Sequence, residues 1–133
     1  MIKKCEGIFE LFNSQVRRLQ NGNKLRLIFE CPEDIEIEKD LIEVRGCDCK
    51  VKVAPVKIDS AGKKGPGPVV IDGTFEVFDI KCRRLRNGDK LALILEKSRD
   101  KELEIAAVNA KFQECFVFLE TVEEELDFDD DEE

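Results

Sequence analysis

The stretch Arg17-Arg18-Leu19-Gln20-Asn21-Gly22-Asn23-Lys24-Leu25 returns 66 positions later as Arg83-Arg84-Leu85-Arg86-Asn87-Gly88-Asp89-Lys90-Leu91, with seven of nine residues identical. Each copy sets an Asn-Gly dipeptide between strand-like segments. That is the strongest short-range sign of a β-hairpin, because a two-residue type I′ turn needs positive φ at both central positions. Working outward without a gap, residues 7–53 align with 73–119 and 19 of 47 pairs are identical, against about three expected from typical residue frequencies. The chain reads as a tandem duplication of one unit.

A two-residue loop places Val16 opposite Leu27, Ser14 opposite Phe29 and Arg17 opposite Arg26, and in the second copy Cys82 opposite Leu93, Ile80 opposite Leu95 and Arg83 opposite Ala92. Alternation then sends Phe12, Phe29 and Phe78 to the core face and Phe9 and Phe75 to the other. After each hairpin, Ile37, Leu41 and Val44, then Leu103, Ala107 and Ala110, recur at a spacing of four and three. This predicts helices within Asp34–Val44 and Asp100–Ala110, although strand-like alternation at Ile35-Glu36-Ile37-Glu38 competes in the first. A third strand follows, with Cys49, Val51 and Val53, or Cys115, Val117 and Leu119, facing inward. The unit is β-β-α-β.

One such unit is too small to be comfortably stable alone, because units under about 60 residues bury too little of their surface. The expected architecture is therefore a single α+β domain over residues 1–119, with repeats at 7–53 and 73–119. Its six strands form a pseudo-two-fold sheet or partly closed barrel, covered by two helices. Residues 54–72, containing Gly62-Lys63-Lys64-Gly65-Pro66-Gly67-Pro68, read as an irregular linker.

A hydrophobic share of 42% and a charged share of 39% describe a soluble globular chain. No apolar run reaches the roughly 18 residues that span a bilayer, so a cytoplasmic protein with no membrane partner is expected. The six cysteines read as reduced, mostly buried thiols, with Cys82 and Cys115 on apolar strand faces. Cys47-Asp48-Cys49 with Cys5 and Cys31 is the one zinc candidate, but Cys5 and Cys31 lack a mate at knuckle spacing. Strand alternation also points Cys47 and Cys49 the same way, which suits a core face, and no metal or cofactor is expected. His and Tyr are absent, and no nucleophile elbow or phosphate-binding glycine loop is present, which argues against an enzyme.

The net charge of −8 is unevenly spread: residues 120–133 carry ten carboxylates and no cation, leaving 22 cations against 20 anions, or +2, in residues 1–119. Arg17, Lys24 and Arg26, with Arg83, Arg86 and Lys90, flank the two hairpin turns and can line a phosphate backbone if the copies pair. The competing reading is an ordinary charged sheet face. Phe116 and Phe118 stand where the first copy has Lys50 and Lys52. With Phe9 and Phe75 they are candidates for stacking on bases or for an interface with a protein partner.

In the tail, Leu126-Asp127-Phe128-Asp129-Asp130-Asp131 resembles the acidic tip of bacterial single-stranded-DNA-binding proteins. The resemblance implies a segment that competes with DNA for a basic groove and recruits protein partners; Glu132-Glu133 replaces that family's terminal Ile-Pro-Phe. Two functions are expected in competition. One is a non-enzymatic accessory protein that binds nucleic acid, above all single-stranded DNA, with Asp127, Phe128, Asp129, Asp130 and Asp131 in a gating tail. The other is a protein-binding module, such as an acidic DNA-mimic inhibitor or a subunit of a larger assembly. A structural homo-oligomer is a third reading.

Overall fold

The computed structural model describes residues 3–122. Its elements run β1 (Lys4–Arg17), β2 (Lys24–Pro32), α1 (Ile35–Val44), β3 (Asp48–Ile58), β4 (Lys64–Pro66), β5 (Ile71–Arg83), β6 (Lys90–Ser98), α2 (Lys101–Ala110) and β7 (Glu114–Thr121). The fold is α+β. Seven strands form one antiparallel sheet in the order β4-β3-β5-β6-β2-β1-β7, and β3 also pairs with β7, so six strands close into a ring of pairings. Inside the ring lie Phe9, Leu11, Leu27, Phe29, Val51, Phe75, Val77, Leu93, Leu95 and Val117, each buried.

The ladders repeat at the 66-residue offset. Ile28 pairs with Ile94 in the β2–β6 ladder, and Lys52 pairs with Phe118 in the β3–β7 ladder; each is opposite the residue 66 positions away. The helices repeat too. Asp34 accepts N–H bonds from Glu36 and Ile37 at 3.0 and 3.2 Å, and Asp100 accepts from Glu102 and Leu103 at the same distances. Asp at the N-cap satisfies amides that have no partner within the helix, which is why helix prevails over the strand-like alternation at Ile35–Glu38. Leu41 and Val44, like Ala107 and Ala110, are buried, as the spacing predicts.

The hairpin register differs from the expected one by two residues. Val16 pairs with Leu25, Ser14 with Leu27 and Arg17 with Lys24; Cys82 pairs with Leu91, Ile80 with Leu93 and Arg83 with Lys90. The turn is built from Leu19 to Gly22, with the Gly22 N–H donating to the Leu19 carbonyl at 3.1 Å, and Gly88 does the same to Leu85. Among the turn residues only Gly22 and Gly88 have positive φ, at 119° and 118°. Glycine serves here as the residue that leaves a four-residue turn, and the asparagine need not be left-handed. A shift of two preserves which face each residue occupies.

A bulge changes the faces. The β1–β2 register slips between Leu11 and Asn13, and the β5–β6 register between Val77 and Asp79. The extra residues, Phe12 and Phe78, are turned outward and are 37% and 41% exposed, whereas Phe9 and Phe75 are buried at 2% and 1%. This reverses the expected placement of all four rings, because one inserted residue inverts the alternation carried back from the hairpin. Asn13 and Asp79 stabilise the bulges by accepting the next residue's N–H at 2.9 Å.

Three further expectations need correction. Lys64–Pro66, assigned to the irregular linker, forms a short edge strand against Val56–Ile58, a position where the missing N–H of proline is tolerated. Cys82 is exposed, because it lies past the bulge near the end of its strand, and Cys47 is exposed while Cys49 is buried, because Cys47 precedes β3. Cys115 is buried as expected.

Candidate functional site

The hairpin cations divide into two groups. Glu96, on the outward face of β6, is only 2% exposed, and it accepts from Arg17 Nη1 at 2.6 Å and Arg26 Nε at 2.7 Å. Arg26 also stacks over Phe78, its guanidinium carbon 4.7 Å from the ring centroid, with Arg17 at 5.5 Å. In the related arrangement, Arg83 pairs with the buried Glu30 and lies 5.3 Å from the Phe12 centroid. Ala92 occupies the position equivalent to Arg26, so Glu30 has one arginine where Glu96 has two.

Burial alone would raise the Glu96 pKa, but the hydrogen bonds from Arg17 and Arg26 prevail and lower it. Three of the six expected phosphate ligands are therefore engaged with buried carboxylates. Lys24, Arg86 and Lys90 form no ion pair among the described residues.

The opposite side of the ring carries a different arrangement. Along β7, Cys115, Val117 and Leu119 point inward and are buried, which turns Glu114, Phe116, Phe118 and Glu120 outward. The Phe116 and Phe118 rings lie 6.2 Å apart and within 12° of parallel. On the β1 side, Ile8 stands beside Phe116, Glu6 beside Phe118 and Lys4 beside Glu120. On the β3 side, Ala54 stands beside Phe116, Lys52 beside Phe118 and Lys50 beside Glu120.

Lys4, Lys50, Lys52 and Phe118 line a groove of about 590 Å³, together with Glu6, Asp40 and Glu120. None of the three lysines forms an ion pair among the described residues. Sequence comparison of the repeats singled out both phenylalanines but treated Lys50 and Lys52 only as their counterparts. Pairing of β3 with β7, which brings the four residues together, has no local sequence signal.

Phe9 and Phe75 belong to the core and cannot offer ring faces to an outside partner. The tail residues Asp127, Phe128, Asp129, Asp130 and Asp131 lie outside the described residues. The chain heads toward them from the lysine end of the groove: Val122 donates its N–H to the carbonyl of Asp48, two residues before Lys50, at 3.0 Å.

Five of the six cysteines have thiols raised above the ordinary value. Burial pushes the Cys5, Cys31, Cys49 and Cys115 thiols up to about 11. Cys82 is also raised, chiefly by its hydrogen bond to Glu33. Such groups are overwhelmingly protonated at neutral pH. Glu33, Cys82 and Asp89 place one thiol and two carboxylates within 4.8 Å of one another, a grouping that sequence reasoning missed because it depends on β6 meeting the end of β2.

The fold and site together define an α+β protein with an aromatic and lysine-bearing sheet face. No family model, characterised protein or solved structure matches the chain. No helix among the described residues is long and apolar enough to cross a membrane.

Proposed function

We propose that this chain is a non-enzymatic accessory protein that binds single-stranded nucleic acid, with DNA as the first substrate to test, on the β1–β7–β3 face. The observation carrying this reading is the parallel Phe116–Phe118 pair, with Lys52 beside Phe118 and with Lys4 and Lys50 flanking Glu120 at the next outward position. Aromatic faces stack on exposed bases without demanding a particular sequence, and lysines attract the phosphates. Glu6, Asp40 and Glu120 offset the three lysine charges of the groove, so affinity is modest and depends on stacking. In this reading the unit was duplicated in tandem, and the ring is a partly closed barrel with pseudo-two-fold symmetry. The acidic tail, similar in composition to the tip of bacterial single-stranded-DNA-binding proteins, competes with phosphate for the lysines. The test is a titration of the full chain with single-stranded and duplex DNA and RNA at two salt concentrations. Absence of binding to every single strand at low salt would sink the proposal.

A second reading is a protein-binding module, and a specific observation favours it. Phe112 is 65% exposed with φ at 69°, in the position that Gly46 occupies after the first helix with φ at 81°. Ile105 and Val108 on α2 are also exposed. An aromatic residue held in a strained conformation outside the core suits a contact surface. This reading expects no oligonucleotide affinity, together with a protein association that Phe112→Asp abolishes.

A further inference from the structure

The outward row of β7 reads Glu114, Phe116, Phe118, Glu120, so the aromatic pair has a carboxylate at each end. Resting on the nucleic-acid reading of this face, we propose that the site holds two successive nucleotides of a single strand and that Glu114 and Glu120 bound the footprint. The ring centroids are 6.2 Å apart, nearly twice the roughly 3.4 Å between bases along a stacked strand. Two bases seated on these rings are therefore separated from each other. A single strand reaches that state readily, whereas a duplex must first give up pairing and stacking.

The cations have a matching repeat. Lys50 and Lys52 are two residues apart on one strand face, a spacing of about 6.7 Å. Lys52 stands beside Phe118 and Lys50 at the next outward position beside Glu120, so a backbone running alongside β7 meets one lysine at the Phe118 seat and the next just past it. Beyond the rings the outward row of β7 offers carboxylates and no further aromatic ring. Glu114 is held by Lys64 at 3.4 Å, which leaves that lysine partly neutralised, and Glu120 lies between Lys4 and Lys50 in the strand ladders. A strand extending past either ring meets a carboxylate instead of another aromatic seat.

The experiment titrates the full chain with 5′-phosphorylated oligothymidylates of two, four, eight and sixteen nucleotides, followed by calorimetry and by NMR shifts. Affinity should be nearly complete at four nucleotides and thereafter grow only with the number of overlapping registers. About two phosphate contacts predict a slope of log K against log salt near −1.4. Phe116→Leu and Phe118→Leu should each weaken binding about tenfold, the lower part of the range for losing a stacked base, with the circular dichroism spectrum unchanged. Glu114→Gln combined with Glu120→Gln should restore a gain in affinity with length.

More than about a tenfold gain between four and sixteen nucleotides, or a slope steeper than about −3, would overturn the two-nucleotide footprint while leaving nucleic-acid binding in place. Failure of every oligomer to bind at low salt would overturn both. Unchanged affinity in both leucine variants would overturn the assignment of the seats.

Discussion

Arg83 is the only described partner of Glu30, whereas Glu96 has both Arg17 and Arg26. Arg83→Ala should therefore cost more stability than Arg17→Ala. Leaving a buried carboxylate unpaired costs about 3–5 kcal/mol, and the 42% exposure of Arg83 argues for the lower end. Urea unfolding of the two variants should show the difference, and equal losses would contradict it. Glu96 also predicts a pH dependence. Because its folded pKa is lowered, its contribution is present above the unfolded-state value near pH 4.3 and is lost as pH falls through the folded value. Glu96→Gln should flatten the loss of stability on acidification, even though it weakens the protein at neutral pH. At Phe112, by contrast, replacement by glycine should raise stability by about 1 kcal/mol, since a left-handed residue with a β-carbon costs roughly that much. Thermal unfolding should show a midpoint higher by a few degrees; an unchanged or lower midpoint would mean that the ring contributes packing beyond its contact with Lys111.

The helices and bulges show how far local chemistry governs the elements. Asp34 and Asp100 each accept two N–H groups at the start of a helix. Asp34→Ala and Asp100→Ala should each cost about 1 kcal/mol, and the paired losses should be similar because the cap geometries are the same. A markedly smaller cost at either site would mean that water replaces that cap. The bulges work against local alternation. Alternation places Ser14, Val16, Ile80 and Cys82 correctly relative to one another, yet carrying it back across Phe12 and Phe78 assigns Phe9 and Phe75 to the wrong face. Asn13 and Asp79 are the available signal: both are short side chains able to accept an N–H released by a bulge, but the same residue types are common in turns.

At the scale of the whole molecule, closing the ring separates two kinds of basic surface. Arg17, Arg26 and Arg83 are tied to buried glutamates on one side, while Lys4, Lys50 and Lys52 remain available on the other. The tail leaves from the latter side after Val122, and residues 123–133 carry nine carboxylates. In the proposed function, replacing those carboxylates by amides should tighten single-strand binding at low salt, because tethered charge competes at high effective concentration. The gain should largely disappear near 1 M salt, where electrostatic interactions are screened within about 3 Å. A gain that persists at high salt would point to a steric tail instead of an electrostatic one. Since β7 continues to Thr121, truncations meant to remove only the tail belong after Val122.

The sequence repeat, the α+β class, the two helices and the inward faces of the third strands are legible in the sequence because each rests on local periodicity or direct residue identity. Cys49, Val51 and Val53 face inward as alternation requires, and so do Cys115, Val117 and Leu119. Asn21-Gly22 marks the position of a turn, but its geometry and the strand register emerge only when Leu19 and Gly22 are joined. The faces of Phe9 and Phe12 depend on a single inserted residue, which alternation does not reveal. Phe116 and Phe118 are visible as departures from the repeat, but their lysine neighbours are not, because the β3–β7 ladder joins Lys52 to Phe118 across 66 positions of sequence. The arginines likewise read as free cations until the β2–β6 ladder brings Arg26 to Glu96. Local sequence determines the period and termini of an element; only tertiary pairing decides which side chains share a face and which charges neutralise one another.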